Sequence, residues 1–170
     1  MPPKAAPTPA PSKPPPASTK DEKPEENQAT TATPPEDENV IKKGVFSFAD
    51  GATYTGEYRT TSNGVIQRHG HGVYQYGPET YDGQWEGDAM HGRGTFRFAS
   101  GAVYEGEFQQ NVFHGNGKYQ WADGAVYTGS WTSGRMHSDH GEYVDKDGVI
   151  WRGRFFNGKL DNGRIFHTLR

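Results

Sequence analysis

One pentapeptide pattern constrains this chain more than any other feature: tyrosine, any residue, glycine, any residue, aromatic. It stands at Tyr81-Asp82-Gly83-Gln84-Trp85, Tyr104-Glu105-Gly106-Glu107-Phe108 and Tyr127-Thr128-Gly129-Ser130-Trp131, with starts 23 residues apart. The first two copies are followed at matching offsets by His91-Gly92-Arg93-Gly94-Thr95-Phe96-Arg97-Phe98 and His114-Gly115-Asn116-Gly117-Lys118-Tyr119-Gln120-Trp121. A short fixed period implies an array of one small supersecondary unit, in which neighbouring copies complete each other's core.

Within each half-unit, aromatics and glycines fall on alternate residues, and a period of two places them on one face of a strand. Tyr81, Gly83 and Trp85 share a face, as do Gly92, Gly94, Phe96 and Phe98. The expected hairpin sets Trp85 opposite Gly94 and Gly83 opposite Phe96, so that each strand glycine lies under a ring. Gly101, Gly124 and Gly148 read as turn glycines, whereas Gly83, Gly94, Gly106, Gly117 and Gly129 read as strand glycines. The expected fold is all-β: an elongated single-layer antiparallel sheet, twisted or trough-shaped, with too little sequence for a second layer.

Along the chain, Lys43 to Gly51 resembles the second half of a unit and is expected to pair forward as a cap. A first full unit runs from Tyr54-Thr55-Gly56-Glu57-Tyr58 to His69-Gly70-His71-Gly72-Val73-Tyr74-Gln75-Tyr76. The next start comes 27 residues after Tyr54, and the extra length is assigned to a protruding loop between Arg59 and Arg68. The fourth unit loses a glycine and gains a residue at Met136 to Tyr143. A fifth begins at Trp151-Arg152-Gly153-Arg154-Phe155, and its degenerate second half, Asp161 to Leu169, is the expected C-terminal cap.

Composition divides the chain into residues 1–40 and the array of residues 41–170. Eleven of the twelve prolines lie in the first part, which has no glycine and no Phe, Tyr or Trp. Such a segment buries too little to offset the entropy of ordering and is expected to be a disordered tether, with Pro14-Pro15-Pro16 and Pro34-Pro35 extended. A docking site for an SH3-like domain at Pro11-Ser12-Lys13-Pro14 is the alternative use. The tail sums to −3, leaving an array with 14 basic and 14 acidic side chains, a poor surface for nucleic acid. Without cysteine there is no disulfide or thiolate metal site. No apolar run is long enough to span a bilayer, and the start lacks the apolar stretch of a secretory signal, so the expected location is cytosolic or cytoskeletal.

The units resemble MORN repeats (membrane occupation and recognition nexus), whose motif has the form YxGxWxxGxxHGxGxxxxxxGxxY. The likeness covers residues 44 to about 166, and the stretch from Ser100 to Trp151 is similar to a short member of that family. The resemblance implies a scaffold, often of cilia, flagella, cell cortex or membrane junctions, that docks partner segments along an aromatic groove. Lipid binding is carried unevenly among such proteins.

Candidate chemistry is sparse. The histidine column His69, His91, His114 and His137 recurs once per unit, roughly 10 Å apart, too far for a shared metal ion. These side chains are expected to bond backbone groups near turns. His69 with His71, or His137 with His140, lacks further ligands, so no metal and no cofactor are expected. Gly92-Arg93-Gly94 is followed by neither a helix start nor Gly-Lys-Ser/Thr, so it is no phosphate loop. The acids Glu57, Glu86, Glu105, Glu107 and Glu142 fall on the polar face with no sign of a pocket, which argues against an enzyme. Arg93, Arg97, Lys118, Arg152, Arg154 and Lys159 interleave with acids, so contact with anionic lipid is the weaker alternative. The residues expected to receive a helix or extended peptide from a cytoskeletal, ciliary or flagellar partner are Tyr81, Trp85, Phe96, Tyr104, Phe108, Tyr119, Tyr127, Trp131 and Tyr143. Open sheet edges leave room for pairing between two copies.

Overall fold

The computed structural model describes residues 40–166. The Pro-rich tail and the last residues of the expected C-terminal cap lie outside the described residues. The strands are β1 Lys42–Ser47, β2 Thr53–Thr60, β3 Ile66–Tyr76, β4 Glu79–Glu86, β5 Ala89–Arg97 and β6 Val103–Gln109, followed by β7 Val112–Gln120, β8 Val126–Thr132, β9 Arg135–Met136, β10 Ser138–Val144, β11 Ile150–Phe156 and β12 Lys159–Phe166. All join one open sheet in chain order, except that the two-residue β9 pairs only with β8, which continues to β10. Every pairing is antiparallel. The expected single-layer all-β sheet is therefore the fold, and β1 does pair forward onto β2.

Alternation drives each strand. In β4, Tyr81, Gly83 and Trp85 are buried while Asp82, Gln84 and Glu86 are exposed. The register across strands differs from the expected one. Gly83 lies opposite Gly94, Tyr81 opposite Phe96 and Trp85 opposite Met90. The same pairing recurs throughout, so Gly44, Gly56, Gly72, Gly83, Gly94, Gly106, Gly117 and Gly129 form one continuous row across eight strands. Gly141, Gly153 and Gly163 repeat it at the C-terminal end.

The covering ring is the tyrosine two residues earlier in the same strand. A Cβ added at Gly83 would meet the Tyr81 hydroxyl at 2.6 Å and the Gly94 Cα at 2.5 Å, so both positions need glycine. Folded over the row, the tyrosines donate to the carbonyl three residues on: Tyr81 to Gln84 O at 2.8 Å, Tyr104 to Glu107 O at 2.9 Å and Tyr127 to Ser130 O at 3.2 Å. These carbonyls lie where the pairing slips, between Gly83 and Trp85 in one unit and between Gly106 and Glu107 in the next. The hydroxyl thus satisfies a group next to the bulge. On the facing strand the slip is absorbed by the glycine after each histidine, Gly70, Gly92 and Gly115, at φ 75°, 61° and 57°. A side chain from the preceding strand closes each bulge: Glu57 accepts the His71 N–H at 2.8 Å and Gln84 accepts the Arg93 N–H at 3.1 Å.

Two kinds of turn alternate. Gly87-Asp88, Gln110-Asn111, Ser133-Gly134 and Asn157-Gly158 each have two positive φ angles, the signature of type I′ hairpins. The longer turns end on Gly51, Gly101, Gly124 and Gly148, also at positive φ, as expected for the last three. The extra length of the first unit does not form the expected loop from Arg59 to Arg68. It lengthens both strands, pairing Arg59 with Gln67 and Thr60 with Ile66, and only the turn closed by Thr61 N–H on Val65 O is irregular.

Candidate functional site

Two residues from the glycine row runs a row of rings. Phe46, Tyr54, Tyr74, Tyr81, Phe96, Tyr104, Tyr119 and Tyr127 are successive cross-strand partners. The row continues through Tyr143 to Trp151. A second line, Trp85, Phe108 and Trp131, stands opposite Gly70, Gly92 and Gly115 of the preceding unit. Large still meets small, but the small partner comes from the neighbouring hairpin.

The nine rings expected to form an open receiving face do lie on one face. They are not open. Tyr81, Trp85, Phe96, Tyr104, Phe108, Tyr119, Tyr127 and Trp131 are all buried, and only Tyr143 is half-buried. Ring covers ring: Tyr81 meets Trp85 at 5.1 Å and Phe108 at 5.0 Å, and Tyr104 meets Trp131 at 5.4 Å, all steeply inclined to one another. Edge-to-face pairs add about 0.5–1.5 kcal/mol beyond burial. These rings are therefore the core first, and Phe48, Trp121 and Tyr143 form the half-buried margin of the face.

Burial also removes the phenols from acid–base chemistry. It pushes Tyr119 and Tyr127 up to about 12 and raises Tyr54, Tyr81 and Tyr104 further. Tyr74 and Tyr143 are raised for the same reason, with nearby carboxylates adding to the shift.

The histidine column does not bond backbone groups as expected. Among the described residues, the Nδ1 atoms of His69 and His91 are buried without a hydrogen-bond partner. His91 instead faces Glu86 at 3.4 Å, and the His137 ring lies 5.0 Å from that of Phe156. Each histidine follows a side chain that fills the core: Arg68, Met90, Phe113 and Met136. No group of three or more metal-ligating side chains occurs among the described residues. No helix is long and apolar enough to cross a membrane among them either.

Arg68 is the functional surprise of this column, since a charge stands where the later units place apolar side chains. Its guanidinium lies 4.5 Å from the Trp85 ring and 5.6 Å from that of Tyr74, and its Nε sits 3.1 Å from the Asp88 carboxylate. Sequence reading assigned Arg68 to a loop and missed Phe113, which is fully buried and stacks on Tyr104 at 3.7 Å. Setting the units in phase on their histidines reveals both.

Indole donors divide the same way. Trp85 Nε1 donates to Gly72 O at 3.1 Å and Trp131 Nε1 to Gly117 O at 3.3 Å. Those of Trp121 and Trp151 are buried with no acceptor among the described residues. On the opposite face, ion pairs dominate: Arg152 meets Glu142 at 2.6 Å, and Arg154 lies 3.7 Å from both Asp139 and Asp161.

Comparison with known families identifies MORN repeats at residues 67–78, 81–103, 104–126 and 127–138. The last three of the four matched copies begin at Tyr81, Tyr104 and Tyr127, the residues that fold over the glycine row. The same register continues outside the matched span, in β1 and β2 and again in β10 to β12. No curated protein matches the chain.

Proposed function

With a MORN repeat array as the premise, we propose that this chain is a non-enzymatic scaffold whose aromatic face binds a helix or extended segment of a partner protein. The observation that carries the reading is the aromatic row from Phe46 to Trp151, laid along one face of a single sheet. Among the described residues no second layer covers this face, and its half-buried margin at Phe48, Trp121 and Tyr143 is the apolar surface within a partner's reach. The resemblance to MORN scaffolds directs the search to cytoskeletal, ciliary or flagellar proteins.

Burial decides how the proposal is tested. Truncating Trp85 or Trp131 removes core and reports on folding. Truncating the margin, Trp121→Ala with Tyr143→Ala, leaves the buried rings in place. Proximity labelling in the native cell with wild type and this variant is the test. A set of neighbours that thins on substitution supports the reading, and an identical set from a folded variant overturns it.

Anionic lipid contact is the weaker reading, because Arg152 and Arg154 already face carboxylates. Vesicle sedimentation that falls as salt rises would revive it. Pairing of two copies through the free edges of β1 and β12 is favoured by exposed Val40, Ile41 and Val45 at one end and Ile165 and Phe166 at the other. A monomer at all concentrations in analytical ultracentrifugation would remove it.

A further inference from the structure

The margin of the aromatic face is best formed at one place. Trp121 and Tyr143 lie 5.6 Å apart at 76°, with Tyr119 behind Trp121 at 4.6 Å. Two half-buried rings set nearly at right angles make a notch suited to a flat, rigid ring. The Trp121 indole N–H has no acceptor among the described residues, and an unmet donor costs about 1–3 kcal/mol. A small turn of this half-buried ring presents the N–H to a ligand carbonyl. A helix consumes its own carbonyls, whereas a polyproline II segment leaves every one free.

The notch is also acidic. The carboxylates of Asp123 and Asp145 act on Tyr143. Each uses Oδ1 to cap its own turn, Asp123 accepting from Ala125 N–H at 3.1 Å and Asp145 from Val149 N–H at 2.9 Å. A second oxygen on each remains for a cation, and the nearby Lys146 is engaged by Asp147 at 3.2 Å.

The occupant that fits is in the chain itself. Pro11-Ser12-Lys13-Pro14-Pro15-Pro16 combines rigid rings, free carbonyls and a lysine, the chemistry by which aromatic grooves take Pro-rich ligands. Its reach suffices: Pro16 precedes the first described residue, Val40, by 24 positions, about 74 Å in polyproline II. The notch lies about 40 Å from β1 across the sheet, counting ~4.8 Å per strand. Pro34-Pro35, on a tether of only about 16 Å, falls short.

We propose that the segment Pro11 to Pro16 docks in the notch between Trp121 and Tyr143, with a main-chain carbonyl on the Trp121 indole and Lys13 between Asp123 and Asp145. It occupies part of the face assigned to a partner, so it rests on that reading and makes the tail a tethered competitor. Tethering raises its local concentration into the millimolar range, and an outside partner must displace it.

The chain has no cysteine, so Ser12→Cys creates a unique thiol for a nitroxide label. In the full-length labelled protein, the Trp121 indole signal in a nitrogen-15 spectrum should be broadened well beyond that of Trp85. Adding Lys13→Glu, Pro14→Gly and Pro15→Gly, which change no residue of the sheet, should restore it. The broadening should persist on dilution. Equal intensity for both indoles, indifference to the added substitutions, or loss on dilution each overturns the proposal. The experiment contains no outside partner, so such a result leaves the labelling test of Trp121 and Tyr143 standing.

Discussion

Arg68 and Phe113 occupy the same slot in two different units. Each precedes the histidine of its repeat, is buried, and receives the turn of the next hairpin through one backbone hydrogen bond, from Asp88 N–H to Arg68 O at 3.1 Å and from Gly134 N–H to Phe113 O at 3.0 Å. Met90 and Met136 fill the slot between and after them, bonded to Asn111 N–H and Gly158 N–H. The backbone is constant while the chemistry is not. Around Phe113 the slot is pure ring, touching Tyr104, Phe108 and Trp131. Around Arg68 a cation lies among Trp85, Tyr74 and Tyr54, and the incoming turn supplies a carboxylate. What the slot demands is filled volume; polarity is tolerated when the next turn answers it.

Breaking the central slot should cost most. Phe113→Ala removes a ring stacked on Tyr104 and in contact with Trp131, and should lower stability by about 3–5 kcal/mol in urea unfolding. A loss under about 1 kcal/mol would mean that the neighbouring rings close the gap. At the other slot, Asp88→Ala leaves the 3 % exposed Arg68 side chain without its carboxylate and should cost about 3 kcal/mol. A cost under about 1 kcal/mol would show that the pair contributes little.

Next comes alkaline pH, which acts on the ring rows of both regions. Tyr119 and Tyr127 are raised to about 12 in the fold from 10, so the unfolded chain ionises first. Their contribution is intact below pH 10 and is lost as pH rises through about 12, on the order of 2 kcal/mol for each fully buried phenol. Tyrosinate absorbance should therefore rise together with loss of the sheet signal in circular dichroism. Gradual ionisation of a still-folded protein would contradict the burial. The smallest effect should come from converting one slot into another. Arg68→Met with Asp88→Asn recreates the Met90 and Asn111 pair, and should stay within about 1 kcal/mol of wild type. A double variant as weak as Asp88→Ala would refute the equivalence of the slots.

Sequence alone determined the repeat, the strands and their faces, because alternation of aromatic and glycine is a local property of an extended chain and Tyr81-x-Gly83-x-Trp85 states it within five residues. It likewise marked Gly101, Gly124 and Gly148 as turns, since few residues other than glycine accept their φ. Register belonged to the tertiary structure. The slip beside Gly83 depends on Tyr81 folding over Gly94 of the next strand and on Gln84 closing the bulge at Gly92. None of this is visible in a single strand. The degree of burial was also decided there. Rings of different units meet at about 5 Å, Tyr81 with Phe108 and Tyr104 with Trp131, which turns an expected binding surface into the core. For the same reason Arg68 reads as a loop residue until the sheet places Asp88 and Trp85 beside it.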